Sequence, residues 1–357
     1  FVSRGLGDVY KRQPFPQDLR AEHGYDTQGD HLSLSPLLME DFFRLSRSIV
    51  KSPSFNPKNV GVWKQYFEEP TPEVNQMVEL KTRLRGLLTL AFRRPVEDRT
   101  FQKYFSYAKQ QMDNSLGVSE VMKEILSAIL ASPRFLYLYD QDGKENTDPK
   151  SSQNLDLVTR LSFFLWGSLP DEELLQIAKK GLLVEEGQLR KQVDRMLADN
   201  KMKRFCDSFP TQWLQLDRII SAVPDEKKYK DFYYAAPLYR TTMDMMMEPL
   251  LLFETVLVEN RSILDLIDSN FTYRSSRLRK WYGEEPGGKL SGPVSMAFQR
   301  QSLEDRRHGG VITNGAVMTM TSGPLETKPI TRGAWIAGVI FNSPPPPPPA
   351  EVPPLPE

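Results

Sequence analysis

The residues best placed to do chemistry lie in the last third of the chain. His308 sits in "EDRRHGGVIT", residues 304–313. An imidazole in a glycine-rich loop could ligate a metal or haem iron, or carry a proton near neutral pH. Its bland alternative is a loop histidine with a structural hydrogen bond, since no second ligand stands near it in sequence. Downstream, "TSGPLETKPITRG", residues 321–333, offers Thr321, Ser322, Thr327, Lys328, Thr331 and Arg332. Backbone N–H groups at a helix start there could bind an anion, with Ser322, Lys328 and Arg332 as side-chain partners. The alternative is N-capping with ordinary surface charge. His308 and Arg332 are the catalytic candidates.

Other clusters read more simply as structure. Asp171, Glu172 and Glu173 suit the positive end of a helix. Met245, Met246 and Met247 fall in an apolar helix, where methionine fills core space. Trp166, Trp213, Trp281 and Trp335 could stack on sugars, but core packing accounts for them. Cys206 is the single cysteine, so a disulfide framework and a cysteine-rich zinc site are both excluded. The sequence holds neither C-x-x-C-H nor H-E-x-x-H, and neither the P-loop nor the dinucleotide fingerprint. His23 and His31 are the other histidines. No catalytic Ser-His-Asp pattern, bound cofactor or metal site is expected in this chain.

The frame that would position these groups is a chain of 357 residues, long enough for two or three domains. Lys+Arg and Asp+Glu number 46 each, so no global field draws nucleic acid or an anionic membrane. No apolar run reaches the roughly 18 residues of a transmembrane helix. The opening "FVSRGLGDVYKRQ" lacks periodicity and reads as a non-native leader over 1–13. A helix is expected within 32–51, with Ser35 as N-cap, Pro36 at the first position and Leu38, Phe42, Leu45 and Ile49 on one face. Helices follow around 73–92, from Pro95 with Phe101, Tyr104, Phe105 and Ala108 inward, and over 119–132. The polar stretch 140–154 reads as a linker.

Beyond it the helices are well punctuated. One ends at Gly167. The next has Ser168 and Asp171 at capping-box spacing and Gly181 as a left-handed C-cap. Further helices are expected over 185–200, around Phe205, Phe209 and Trp213, over 239–260 despite Pro249, and over 262–283 with "DSN", residues 268–270, as a turn or N-cap. Pro210 should kink its helix or open a new one. After about 284, glycine, threonine and β-branched residues replace helical periodicity, until "ITRGAWIAGVIFN" reads as a helix ended by Asn342. The expected fold is mainly α, with multi-helical domains, a smaller irregular or β-containing C-terminal part and a polyproline II tail.

Several phrases carry a family resemblance. "LVTRLSFFLWGSLPDEELLQIAKKGLL", "VDRMLADNKMKRFCDSFPTQWLQL" and "ETVLVENRSILDLIDSNFTY" resemble the domain of unknown function numbered fifteen-ninety-two. "GGVITNGAVMTMTSGPLETKPITRGAWIAGVIFNSPPPPPPAEVPPL" resembles fifteen-eighty-eight. "AFRRPVEDRTFQKYF" with "EILSAILASPRFLY" is similar to fifteen-ninety-five, and "FPQDLRAEHGYDTQGDHLSLSPLLMEDFF" to the end of fifteen-eighty-seven. Pro210 and Thr331 depart from the usual pattern. The corresponding expected domains are 14–55, 73–140, 150–283 and 288–343, followed by a proline-rich connector over 344–357.

The resemblance is to planctomycete-type multidomain proteins with cytochrome-c-associated architecture. It implies an exported protein, periplasmic or in the cell envelope, cut short at both ends. It also implies a c-type haem on a missing upstream domain, which would be this chain's partner. The function so implied is an accessory or scaffold part of a cytochrome-linked redox protein. Two alternatives stand beside it. One is an enzyme domain, oxidoreductase or polysaccharide-acting, with a site near His308 and 321–333. The other is a structural or adhesive envelope protein.

Overall fold

The first helix starts where its capping chemistry places it. The Ser35 hydroxyl accepts the Leu38 amide at 3.1 Å and Pro36 takes the first position, so α1 spans Pro36–Lys51. Its inward face is centred on Asp41, Ser46 and Val50, and Ile49 is 42% exposed. Of the expected Leu38–Phe42–Leu45–Ile49 stripe, Leu38, Phe42 and Leu45 are half-buried on that same face. Ser46 Oγ meets Ser127 Oγ at 3.1 Å. In the computed structural model, residues 25, 35–138, 149–234, 241–284 and 297–346 are described. They fall into two units, Phe1–Arg195 and Met196–Glu357. The 1–13 stretch, His23, His31 and most of the proline-rich end lie outside the described residues.

In the first unit, a short α2 (Trp63–Tyr66) leads to α3 (Gln76–Phe92), α4 (Asp98–Asp113) and α5 (Val118–Leu130). Leu80, Leu84 and Leu88 of α3 and Val121, Ile125 and Ile129 of α5 are fully buried together. Each such side chain contributes about 1.5–3 kcal/mol by leaving water. Phe101 and Ala108 of α4 join this core as the sequence pattern requires. Arg93 ends α3 in the left-handed region at φ 61. Its guanidinium donates to the carbonyls of Arg134 (2.9 Å), Phe135 (3.2 Å) and Tyr137 (2.9 Å). That holds α6 (Pro133–Leu136), a short helical turn capped by Ser132. Next door, Arg94 pairs with Asp156 at 2.5 Å, fixing α7 (Pro149–Trp166).

Two boundaries differ from expectation. Helix α7 begins at Pro149, inside the stretch read as a linker. Helix α8 (Glu172–Lys179) is capped by Asp171, whose carboxylate accepts the Leu174 amide at 2.9 Å. The Ser168 hydroxyl reaches only the Leu169 carbonyl, at 3.5 Å, so it is not the cap. Gly167 (φ 56) and Gly181 (φ 66) take the left-handed conformation that suits glycine after a helix. Helix α9 (Gln188–Leu197) follows, and its Arg195 pairs with Asp171 at 2.7 Å.

The second unit contains α10 (Lys203–Trp213), a 3-10 segment Leu216–Ser221, α11 (Lys230–Tyr234) and α12 (Thr241–Val258). Pro210 lies inside α10 without opening a new helix, and Pro249 lies inside α12. The expected helix over 262–283 does not form. A 3-10 turn Ile263–Leu266, strand β1 (Phe271–Arg274) and helix α13 (Ser276–Trp281) stand there instead. The β-branched and aromatic "FTYR" finds a distant partner in β2 (Gln299–Ser302), antiparallel, with Phe271 opposite Ser302. Helices α14 (Gly315–Met320) and α15 (Pro329–Trp335) follow, and α15 continues as a π turn over Ile336–Ile340. Trp213 Nε1 donates to the Val339 carbonyl at 3.0 Å, and Trp335 Nε1 to the Leu214 carbonyl at 3.3 Å. The fold is thus mainly helical, with one small two-stranded sheet and an irregular C-terminal part.

Candidate functional site

The polar chemistry of the second unit converges on α12. Its sequence "MDMMMEPLLLF" places Asp244 and Glu248 one turn apart within an apolar helix, so both carboxylates point the same way. Both are buried, at 1% and 2% exposure. A buried carboxylate must be hydrogen-bonded or paired. Asp244 accepts from Ser275 Oγ (2.6 Å) and pairs with Arg277 (3.1 Å). Ser275 also caps α13 by accepting the Leu278 amide at 3.0 Å, so one hydroxyl ties two helices.

Glu248 is held from three sides. Thr272 Oγ1 of β1 donates to Oε1 at 2.7 Å, and the Tyr282 hydroxyl donates to Oε2 at 2.7 Å. Arg274 Nε lies 3.7 Å from Oε1. The Arg274 guanidinium stacks 3.7 Å above the Tyr282 ring and pairs with Glu284. Its Nε and Nη2 have no hydrogen-bond partner among the described residues. Tyr282 in turn accepts the Gly315 amide at 2.5 Å, which joins α14 to the cluster. Burial pushes the Glu248 carboxyl above its ordinary value, against the opposing pull of Thr272, Tyr282 and Arg274. Burial first, and then the Glu248 charge, push the Tyr282 phenol well above its own.

His308 lies at the edge of this cluster. Its ring meets Tyr282 edge-on, with centroids 5.9 Å apart, while the residue itself is exposed. It ends a 3-10 turn capped by Asp305, whose carboxylate accepts the Arg307 amide at 3.0 Å. The glycines beside it have a structural cause. A Cβ on Gly309 would stand 1.9 Å from the Ser269 carbonyl oxygen. Gly310, at φ +79, would place one 2.1 Å from the Ile267 oxygen. Val311 N then donates to the Leu266 carbonyl at 2.7 Å. Close backbone approach, rather than a ligand, requires the "GG".

Arg332 and its neighbours form a separate hairpin. Arg332 donates to Thr321 Oγ1 (3.2 Å) and Thr327 Oγ1 (2.8 Å). Ser322 donates its hydroxyl proton to the Met318 carbonyl at 2.6 Å and bridges to Thr327 through the backbone. Lys328 precedes α15 without a side-chain cap. No hydrogen bond, ion pair or ring contact joins His308 to Arg332 among the described residues. Two of the three anion candidates, Ser322 and Arg332, are thus engaged within their own loop.

Of the remaining candidates, Trp166 is fully buried, Trp335 is 5% exposed and Met245 is buried, while Trp213, Trp281, Met246 and Met247 are half-buried. Cys206 is buried, and its thiol is pushed up to about 11, first by burial and then by the Glu254 charge. With that one cysteine and no C-x-x-C-H, these residues do not fit covalent attachment of a c-type haem. Among the described residues there is no group of three or more His, Cys, Asp or Glu that could hold a metal, and no helix long and apolar enough to cross a membrane.

Sequence reasoning missed the Glu248 cluster. Its signal was two acids at helical spacing inside an otherwise apolar run, a pattern that forces a search for buried partners.

Four family models match the chain. They are described as protein of unknown function DUF1587 at residues 6–52, DUF1595 at 79–140, DUF1592 at 153–283 and DUF1588 at 308–357. The four matches follow one another in that order. The names of the models, PSD3, PSD5, PSD4 and PSCyt3, point to cytochrome-c-associated domains of planctomycetes. The first match begins at residue 6, inside the stretch read as a leader, and the last runs through the proline-rich end. The DUF1592 match spans the division between the two units at Arg195 and Met196. Glu248 and Tyr282 lie within that match, whereas His308 and Gly315 lie within DUF1588. Neither a curated protein nor a solved structure matches the chain.

Proposed function

We propose that this chain is an accessory scaffold in an exported, cytochrome-linked redox protein of the periplasm or cell envelope. On this reading a c-type haem sits on another domain of the full-length protein, and the helical units dock that domain. The observation that carries it is how the Glu248 cluster spends its groups. Asp244, Glu248, Thr272, Ser275, Arg277 and Tyr282 bond to one another and to the backbone of α13 and α14. Such a network stiffens a platform and fixes the order of its segments. The names of the matched families support the redox link.

The test is a titration of the haem domain from the full-length gene with this chain, followed by calorimetry and by the haem absorption spectrum. Saturable binding with an unaltered haem spectrum is the expected result. Absence of binding, or substrate turnover by the chain alone, would sink the scaffold reading.

A second reading has one observation in its favour. His308, Tyr282 and Glu248 form a continuous line from an exposed imidazole to a buried carboxyl of raised pKa. Perturbed carboxyls beside an accessible acid–base group are a feature of enzyme sites. An oxidoreductase or polysaccharide-acting domain would lose turnover in both His308→Ala and Glu248→Gln. A scaffold would lose stability chiefly in the second.

A further inference from the structure

The first unit holds an open cavity of about 820 Å³, in the size range of small-molecule sites. One wall is a stripe of α3, formed by Lys81, Thr82, Arg85, Gly86 and Thr89. These residues repeat at helical spacing on the side opposite the buried Leu80, Leu84 and Leu88. The facing wall is a stripe of α8, with Glu172, Leu175, Gln176 and Lys179. An outward polar stripe on a helix is ordinarily a solvated face. Here two such stripes line a single cavity, and their charges do not pair with each other.

Three observations point to a ligand. First, Tyr66 is 5% exposed and lines the cavity, and its hydroxyl, bonded to no other described residue, is open to that cavity rather than sealed from it. Second, Gly86 makes room for that phenol. A Cβ there would stand 3.2 Å from Tyr66 Cε1 and 3.5 Å from its hydroxyl. Third, the lining carries Lys81, Arg85 and Lys179 against the single carboxylate of Glu172. Arg85 is paired with Asp98 at 3.0 Å. Lys81 rests over the Phe105 ring at 5.1 Å, and neither it nor Lys179 has an ion-pair partner among the described residues. Leu90 and Leu175 supply apolar surface to the same lining.

We propose that this cavity binds a small organic carboxylate. Lys81 and Lys179 hold its charged end, the Tyr66 hydroxyl donates a hydrogen bond to it, and Leu90 and Leu175 contact its apolar body. The proposal does not rest on the scaffold reading.

The test uses the full chain and sodium benzoate as the probe, by calorimetry at constant ionic strength, with sodium phosphate as the comparison. Saturable benzoate binding with a dissociation constant of about 1 mM or tighter is expected. Tyr66→Phe, Lys81→Ala and Lys179→Ala should each weaken it roughly threefold to tenfold. Glu172→Gln should tighten it, and Lys58→Ala, outside the lining, should leave it unchanged. Unchanged thermal unfolding of the three weakened variants shows that they remain folded. The proposal fails if benzoate does not saturate, if phosphate binds as tightly, or if Tyr66→Phe and Lys179→Ala bind like the parent.

Discussion

The Tyr282 hydroxyl donates to Glu248 Oε2 across 2.7 Å while accepting the Gly315 amide at 2.5 Å. One phenol oxygen thus joins α12, the segment after α13 and the first residue of α14. Removing it takes one hydrogen bond each from the buried Glu248 carboxyl and from the Gly315 amide, which also lies against Glu248. Tyr282→Phe keeps the ring, and with it the Arg274 stack, so it isolates the hydroxyl. Leaving a buried polar group unsatisfied costs about 1–3 kcal/mol. Urea unfolding of this variant should lose at least that much. A loss below about 0.5 kcal/mol would show that the bond does not hold α14 in place.

Glu248 predicts a pH dependence of definite sign. Burial raises its folded-state pKa above its ordinary value of 4.5. The folded state therefore binds the proton more tightly than the unfolded state. Its contribution to stability is fully present below pH 4.5 and falls as pH rises through the folded-state pKa. Glu248→Gln keeps the shape and removes the titration. The stability of the parent minus that of this variant, measured by denaturation from pH 4 to pH 8, should fall as pH rises. A difference that is flat or rises would mean that the hydrogen bonds and Arg274 outweigh burial.

Cys206 should be inert in the folded protein. Burial and a pKa of about 11 leave about one thiol in a thousand ionised at pH 8. An aromatic disulfide reagent should release no thiolate from native protein at that pH over minutes, and one equivalent in guanidinium. Rapid native reaction would place Cys206 at an opening segment rather than in the core.

Where the sequence was legible, the cause is local. Ser35 and Pro36 start α1, and Gly181 ends α8, through contacts within a few residues of each cap. The core stripe of α4 follows from 3.6-residue spacing alone. The misread segment 262–283 fails for the opposite reason. Strand β1 exists because Phe271 pairs with Ser302, far along the chain, and no local signal carries that partner. The candidate site was half visible for the same reason. His308 stood out by its type and its glycines. Its neighbour Tyr282, and the Glu248 behind it, become a cluster only when α12, β1 and α14 meet. The "GG" was informative, but about a backbone crossing.

That crossing gives the prediction that best separates structure from chemistry at His308. Gly309→Ala would drive a Cβ to 1.9 Å from the Ser269 carbonyl oxygen, a backbone atom that a rotamer change cannot move. The loop must withdraw, and the Val311 amide then loses its bond to the Leu266 carbonyl. A loss of about 3 kcal/mol or more is expected from denaturant unfolding. His308→Ala, on the exposed side of the same turn, gives up one edge-on contact with Tyr282, about 0.5–1 kcal/mol. If His308→Ala proves as destabilising as Gly309→Ala, the imidazole is a structural member of the cluster and its exposure is misleading. If it costs little and the chain has a turnover that it abolishes, the enzyme reading gains the residue it needs.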